Sequence, residues 1–207
     1  LDDLERDDAE LVRAFQAGDA DAFATLVERY RRPLWRVAWG ILRNAEQADE
    51  ATQDAFVKAW HGLSSFKGES TFKTWVYRIT MNAAFDLRQR EQAQGRARAR
   101  AEHEALAATP GRGPRVLRAL IEDEQAEQVR QAMALLPERQ RLTLTLRLRD
   151  GLKYAEIAEA LETSVGTVKA NIHHAVRNLR KALGEMGATT GEAPELTLGG
   201  DAAASEG

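Results

Sequence analysis

The chain contains no cysteine. That excludes disulfide frameworks, thiol nucleophiles and cysteine-based zinc sites, and it fits a reducing compartment. Proline is scarce, with five in 207 residues, so few positions forbid a helix outright. No apolar run approaches the length of a membrane span, and no membrane insertion is expected. Neither sign of charge dominates: the formal net charge is −3 and the pI about 5.9. A protein that coats DNA by charge alone is strongly basic, so DNA binding here must come from local patches or need a helper. The first residues, Leu1-Asp2-Asp3-Leu4-Glu5, are acidic, lack an initiator Met and do not resemble a signal peptide, so a trimmed or processed start is expected.

What is present is helical periodicity. Ala22, Phe23, Leu26, Val27 and Tyr30 share one helical face, continued by Leu34, Val37, Ala38, Ile41 and Leu42. Pro33 predicts a kink or a break between them. Asn44 with Gln47 resembles a capping box opening a helix that carries Ala48, Ala51, Ala55, Phe56, Ala59 and Trp60. Residues 62–70 have turn composition, and Ser70 is suited to cap a helix striped with Phe72, Trp75, Val76, Ile79 and Ala83. Trp75 and Phe72 read as core rather than as ligand contacts, by their apolar spacing. The composition changes after Asp86. Residues 91–118 read as a flexible linker, with Ala, Arg, Gln and Glu first and Thr-Pro-Gly-Arg-Gly-Pro at 109–114. Leu120, Ile121, Val129, Met133 and Leu136 restore the period. Pro137 suits the first turn of a helix bearing Leu142, Leu144, Leu146 and Leu148, ended by Gly151. Residues 186–207 are non-periodic and expected to be disordered. The fold class expected is all-α: a domain over 8–90, the linker, a second domain over 119–185, and the tail.

Within the second domain, Tyr154–Leu161 forms a short amphipathic segment, Glu162-Thr163-Ser164 a turn, and Val165 opens a longer helix with Ser164 as its cap. Ile157, Ala158, Leu161, Val165, Val168 and Ile172 fall where a helix-turn-helix needs its shared core. Thr167, Lys169, Ala170, Asn171, His173, His174 and Arg177 are left for the outer surface. Lys169 and Arg177 suit phosphates, Asn171 can bond bidentately to adenine, and Thr or His can reach base edges. A plain helical hairpin with a solvated face would carry the same pattern.

Three strings resemble domain four of extracytoplasmic-function (ECF) sigma factors: Leu136-Pro137-Glu138-Arg139-Gln140-Arg141, Gly151-Leu152-Lys153-Tyr154-Ala155-Glu156-Ile157-Ala158 and Ser164-Val165-Gly166-Thr167-Val168-Lys169. The first half separately resembles domain two of that family, in the segments 21–30, 49–60 and 66–79. The resemblance covers about residues 20–184. It implies a transcription initiation factor that binds RNA polymerase core and reads two promoter elements. Domain two would dock on the clamp helices of the largest subunit through Asp49, Gln53, Asp54 and Lys58. It would also hold a base flipped from the minus-ten element near Phe66, Ser70, Thr71 and Asn82, with Arg78, Arg88 and Arg90 available to phosphates. Domain four would meet the polymerase flap and read the minus-thirty-five element through Thr167, Lys169, Ala170, Asn171, His173, His174 and Arg177. Many relatives carry Arg at the positions of Asn171, His174 and Val176, and Ser or Thr at that of Lys153, which alters the expected base preference. The family also implies an anti-sigma partner and a cytoplasmic location, nucleoid-associated when active and at the membrane when that partner is tethered there.

Two other readings compete. A conventional helix-turn-helix regulator acting without core polymerase explains the second half and leaves the first without a role. A helical adaptor needs no reader face. No enzyme, cofactor or metal is expected: His61, His103, His173 and His174 lack ligand spacing, and there is no phosphate-binding glycine loop.

Overall fold

Short polar caps start the first three helices, and alanine-rich or leucine-rich faces bring the helices together. The computed structural model describes residues 6–102 and 124–185, and among them the regular structure is helical. Residues 103–123, which include most of the expected linker, and the expected tail at 186–207 lie outside the described residues. The elements are α1 (Asp8–Gln16), α2 (Ala20–Leu42), α3 (Ala45–Leu63), α4 (Phe72–Glu102), α5 (Glu124–Leu135), α6 (Glu138–Leu148), α7 (Tyr154–Ala160) and α8 (Val165–Glu185).

Helices α1–α4 form the first bundle. Asp7 caps α1, accepting from the Glu10 amide at 2.7 Å while its own amide donates to Glu10 Oε2 at 3.0 Å. Asn44 caps α3 by accepting from the Gln47 amide at 3.2 Å. On α3 most of the buried residues are small, Ala48, Ala51, Ala55 and Ala59 among them, so α2 and α4 approach it closely. Leu11, Leu26, Leu34, Leu63, Tyr77 and Met81 fill the centre. Thr52 and Thr80 are buried, yet their hydroxyls donate to the Ala48 and Val76 carbonyls one turn back, so neither hydroxyl is stranded.

The break expected at Pro33 and the cap expected at Ser70 are corrected here. Pro33 lies inside α2, which is not broken. Tyr30, Leu34 and Val37 are all buried on one face, and that burial outweighs the lost backbone bond. The cap of α4 is Thr71 rather than Ser70: Thr71 Oγ1 accepts from the Thr74 amide at 3.1 Å. Helix α4 runs on to Glu102, into residues expected to be linker, where Ala, Arg, Gln and Glu supply high intrinsic helix propensity. Trp60 is 42% exposed at the edge of the α3 stripe, where it packs edge-on against Phe15 and Phe23.

Helices α5–α8 form the second bundle. Leu142, Leu144 and Leu146 of α6 are buried although they do not share one face. Helix α6 is covered from two sides, by α8 of its own bundle and by α2 of the other. Leu148, the last residue of α6, is exposed. Gly151 takes φ 68°, the left-handed conformation that turns the chain toward α7. Glu156 receives the Lys153 amide at 2.7 Å, which gives α7 a start without a Ser or Thr cap. In the helix-turn-helix, Ile157, Ala158, Val168 and Ile172 are buried as the spacing predicts. Val165 is not: it is 38% exposed, as the first residue of α8.

Candidate nucleic-acid interface

In the first bundle the segment between α3 and α4 is held from below by α1. The Gln16 side-chain amide donates to the carbonyls of Leu63 at 3.0 Å and Phe66 at 2.9 Å. The Phe66 ring rests against Trp75 with centroids 4.9 Å apart, and Trp75 in turn meets Phe72 at 6.0 Å. Phe72 is buried and Trp75 half-buried, so both are packing residues that set where Phe66 stands. Phe66, Ser70 and Thr71 line a cleft of about 1070 Å³ together with Val12, Gln16 and Tyr30. Tyr30 donates its hydroxyl to Asp8, and burial pushes that phenol well above its ordinary range, so it stays a neutral donor. Asn82 is not brought to this cleft. It sits about three turns further along α4, where its side-chain amide meets Glu162 Oε1 at 3.4 Å. Arg88 stacks over Phe85 at 5.1 Å and pairs with Glu138. Gln16 was missed by sequence reading, since nothing local in a nine-residue helix signals a contact 50 positions away.

In the second bundle Ser164 caps α8, accepting from the Thr167 amide at 3.1 Å, with the two hydroxyls bonded at 2.9 Å. Thr167 is therefore partly engaged by the cap. Lys169, Ala170, His173, His174 and Arg177 are exposed along the outer side of α8. Lys169 Nζ lies 6.0 Å from the Tyr154 ring, and Arg177 donates to His174 Nδ1 at 3.3 Å. Asn171 differs from these. It is half-buried and lines a cleft of about 370 Å³ with Phe85, Arg88 and Gln89 of α4.

A third surface lies on α2 and α3. Asp49 and Gln53 border a groove of about 960 Å³ whose floor holds Val27, Trp35, Phe56 and Val57. Arg31, Arg32, Arg36 and Arg149 add a cationic wall. Asp54 and Lys58 are exposed on the next face of α3, paired with each other at 2.7 Å. The α2 contribution was missed because the row Val27, Arg31, Trp35 is legible as a face only once Val27 is known to sit at the core's edge.

Sequence comparison follows this division. Residues 26–94 match the model of sigma-70 region 2, and residues 126–179 match that of sigma-70 region 4. The chain is 35% identical to the RNA polymerase sigma-H factor of Pseudomonas aeruginosa, over 85% of this chain and 93% of that protein. It is 37% identical to the ECF RNA polymerase sigma-E factor of Escherichia coli, over 81% and 90%. The fold is also that of CnrH, solved in complex with the cytosolic domain of CnrY (TM-score 0.60, 24% identity, 86% and 97% covered). It is likewise that of the sigma factor RpoE from Bartonella quintana, solved with the anti-sigma factor NepR (TM-score 0.56, 20% identity, 78% and 96% covered). Two region models in the right order, and relatives matched over nearly their whole length, place this chain in the ECF branch of the sigma-70 family.

Proposed function

We propose that this chain binds RNA polymerase core and directs it to promoters, with residues 8–90 serving polymerase docking and the minus-ten element and residues 119–185 the minus-thirty-five element. The observation that carries the reading is the coexistence of two unlike DNA-facing surfaces on one chain. One is an aromatic-lined cleft beneath Phe66, Ser70 and Thr71, suited to a base taken out of the stack. The other is a helix presenting Lys169, Ala170, His173, His174 and Arg177, suited to a major groove. The α2–α3 groove at Asp49 and Gln53, with Asp54 and Lys58 beside it, is the polymerase surface: an apolar floor supplies area and the charged rim sets register. Domain four adds the contact to the polymerase flap. Because polymerase delivers the factor, two modest DNA modules on one chain suffice through effective concentration, which accords with the near-neutral net charge.

Bond making belongs to the polymerase. Among the described residues no helix is long and apolar enough to cross a membrane, and the factor acts in the cytoplasm under an anti-sigma partner. A conventional regulator binding without core would leave the α2–α3 groove and the Phe66 cleft without a role. Transcription of fragmented genomic DNA by bacterial core polymerase, with and without this protein, tests the reading. Discrete new starts preceded by two spaced elements are the expected result, and absence of any complex with core would overturn it.

A further inference from the structure

The two bundles meet along α4, and the residues that meet there are those a promoter would need. Arg78 Nη1 lies 3.7 Å from Glu159 Oε1, Arg88 pairs with Glu138, and Asn82 meets Glu162 Oε1 at 3.4 Å. Two of the three arginines that the sequence offers to phosphates, and the amide offered to a base, are thus each opposed by a carboxylate of the second bundle. Glu159 lies near the end of α7 and Glu162 in the turn after it, at φ 49°, while Arg78 and Asn82 lie one turn apart on α4, so the two carboxylates meet the α4 row in order. Glu156, one turn earlier, reaches the mouth of the Phe66 cleft beside Ser70 and Thr71. Reciprocally, Asn171 of α8 is turned toward Phe85, Arg88 and Gln89 rather than left open.

We propose that the acidic edge formed by Glu138, Glu159 and Glu162 acts as an internal stand-in for the promoter backbone, masking the DNA face of α4 until nucleic acid displaces it. This rests on the assignment of that face to the minus-ten element. Such pairs are part-exposed and individually weak, which is what a displaceable mask requires: a phosphate offers Arg78 and Arg88 the same charge and more acceptor oxygens. The carboxylates cost the second bundle little, since all three project from its surface. The arrangement also suppresses non-specific DNA binding by the free factor, because a random strand must first break three polar contacts.

The test uses the full chain with dyes at Ala24→Cys and Arg180→Cys, exposed positions of α2 and α8 in a protein with no other cysteine. A random-sequence single-stranded 12-mer serves as probe. The combined variant Glu138→Gln, Glu159→Gln, Glu162→Gln is compared with a charge-matched variant, Asp21→Asn, Glu28→Gln, Glu50→Gln, altered on exposed positions of α2 and α3. Masking predicts that the 12-mer lengthens the dye separation in the wild type. It also predicts that the first variant binds the probe about tenfold more tightly than the charge-matched one, the sum of two weak ion pairs and one hydrogen bond released. Equal affinities of the two variants, or probe binding with unchanged dye separation, would overturn it. Should the combined variant fold poorly, Glu159→Gln with Glu162→Gln alone tests the same row at two exposed sites, against Glu28→Gln with Glu50→Gln. Neither readout uses polymerase or a promoter, so masking can fail while promoter-directed starts persist.

Discussion

Arg36 of α2 and Asp150 beyond the end of α6 meet at 3.4 Å, although 114 positions separate them in the chain. The Asp150 side chain is only 3% exposed. It also accepts from the Tyr77 hydroxyl, and the Asp150 carbonyl accepts from Lys73. With the Arg141 guanidinium donating to the Gly40 carbonyl at 3.2 Å, this corner joins α2 and α4 of the first bundle to α6 of the second. Together with the contacts between α4 and α7, it holds the two bundles closed.

The corner makes a pH prediction. Burial pushes the Asp150 carboxyl above its ordinary range, against the lowering effects of Arg36, Tyr77 and Lys73. A carboxyl whose folded pKa is raised binds its proton more tightly in the folded chain. Its stabilising contribution is therefore present at low pH and lost as pH rises from the ordinary carboxylate range through the raised value. Asp150→Asn removes that titration. The melting temperature of the wild type relative to Asp150→Asn is expected to rise as pH falls from about 7 to about 4. A difference that stays flat across that range would contradict the assignment.

Phe66→Ala should weaken binding of a single-stranded minus-ten oligonucleotide to the polymerase complex by roughly 5- to 150-fold, the worth of about 1–3 kcal/mol of base stacking. Binding of the factor to core should not change, because Phe66 is not among the residues lining the α2–α3 groove. Fluorescence anisotropy with labelled oligonucleotide and with labelled core separates the two effects.

Lys169 and Asn171 should fail differently. Lys169→Ala is expected to lower affinity for every duplex about equally and to reduce the salt slope by about 1, as loss of one phosphate contact does. Asn171→Ala should cost about 1–3 kcal/mol on the preferred minus-thirty-five sequence and relax preference at one base pair. Selection from a randomised promoter library with reconstituted polymerase reads both.

Gly62 lies under Trp75: a Cβ added there would meet the indole Cζ2 at 3.0 Å and Cη2 at 3.3 Å. Gly62→Val should displace the indole and cost about 1–3 kcal/mol by overpacking. Denaturant unfolding followed by tryptophan fluorescence measures this. The same change should weaken minus-ten binding, since Trp75 is what Phe66 rests against.

The sequence by itself determined the helices and most of what they bury. Periodicity marked Leu26, Tyr30, Leu34, Val37, Ala48, Ala51 and Ile172 as core, and they are buried, because a repeat near 3.6 residues leaves one face for water and one for packing. Ser164 was legible as a cap because capping is satisfied within three residues. Composition marked the linker between two modules, and family resemblance gave each module an expected role. Only the tertiary structure decided where those modules meet. The burial of Asp150, the shift of Asn82 away from the Phe66 cleft, and the pairing of Arg78 and Arg88 with glutamates all depend on residues 50 to 114 positions apart. A charged side chain carries no periodic signal of its partner. An exposed glutamate on α7 reads the same whether it faces water or an arginine, and the difference arises only when the two bundles close.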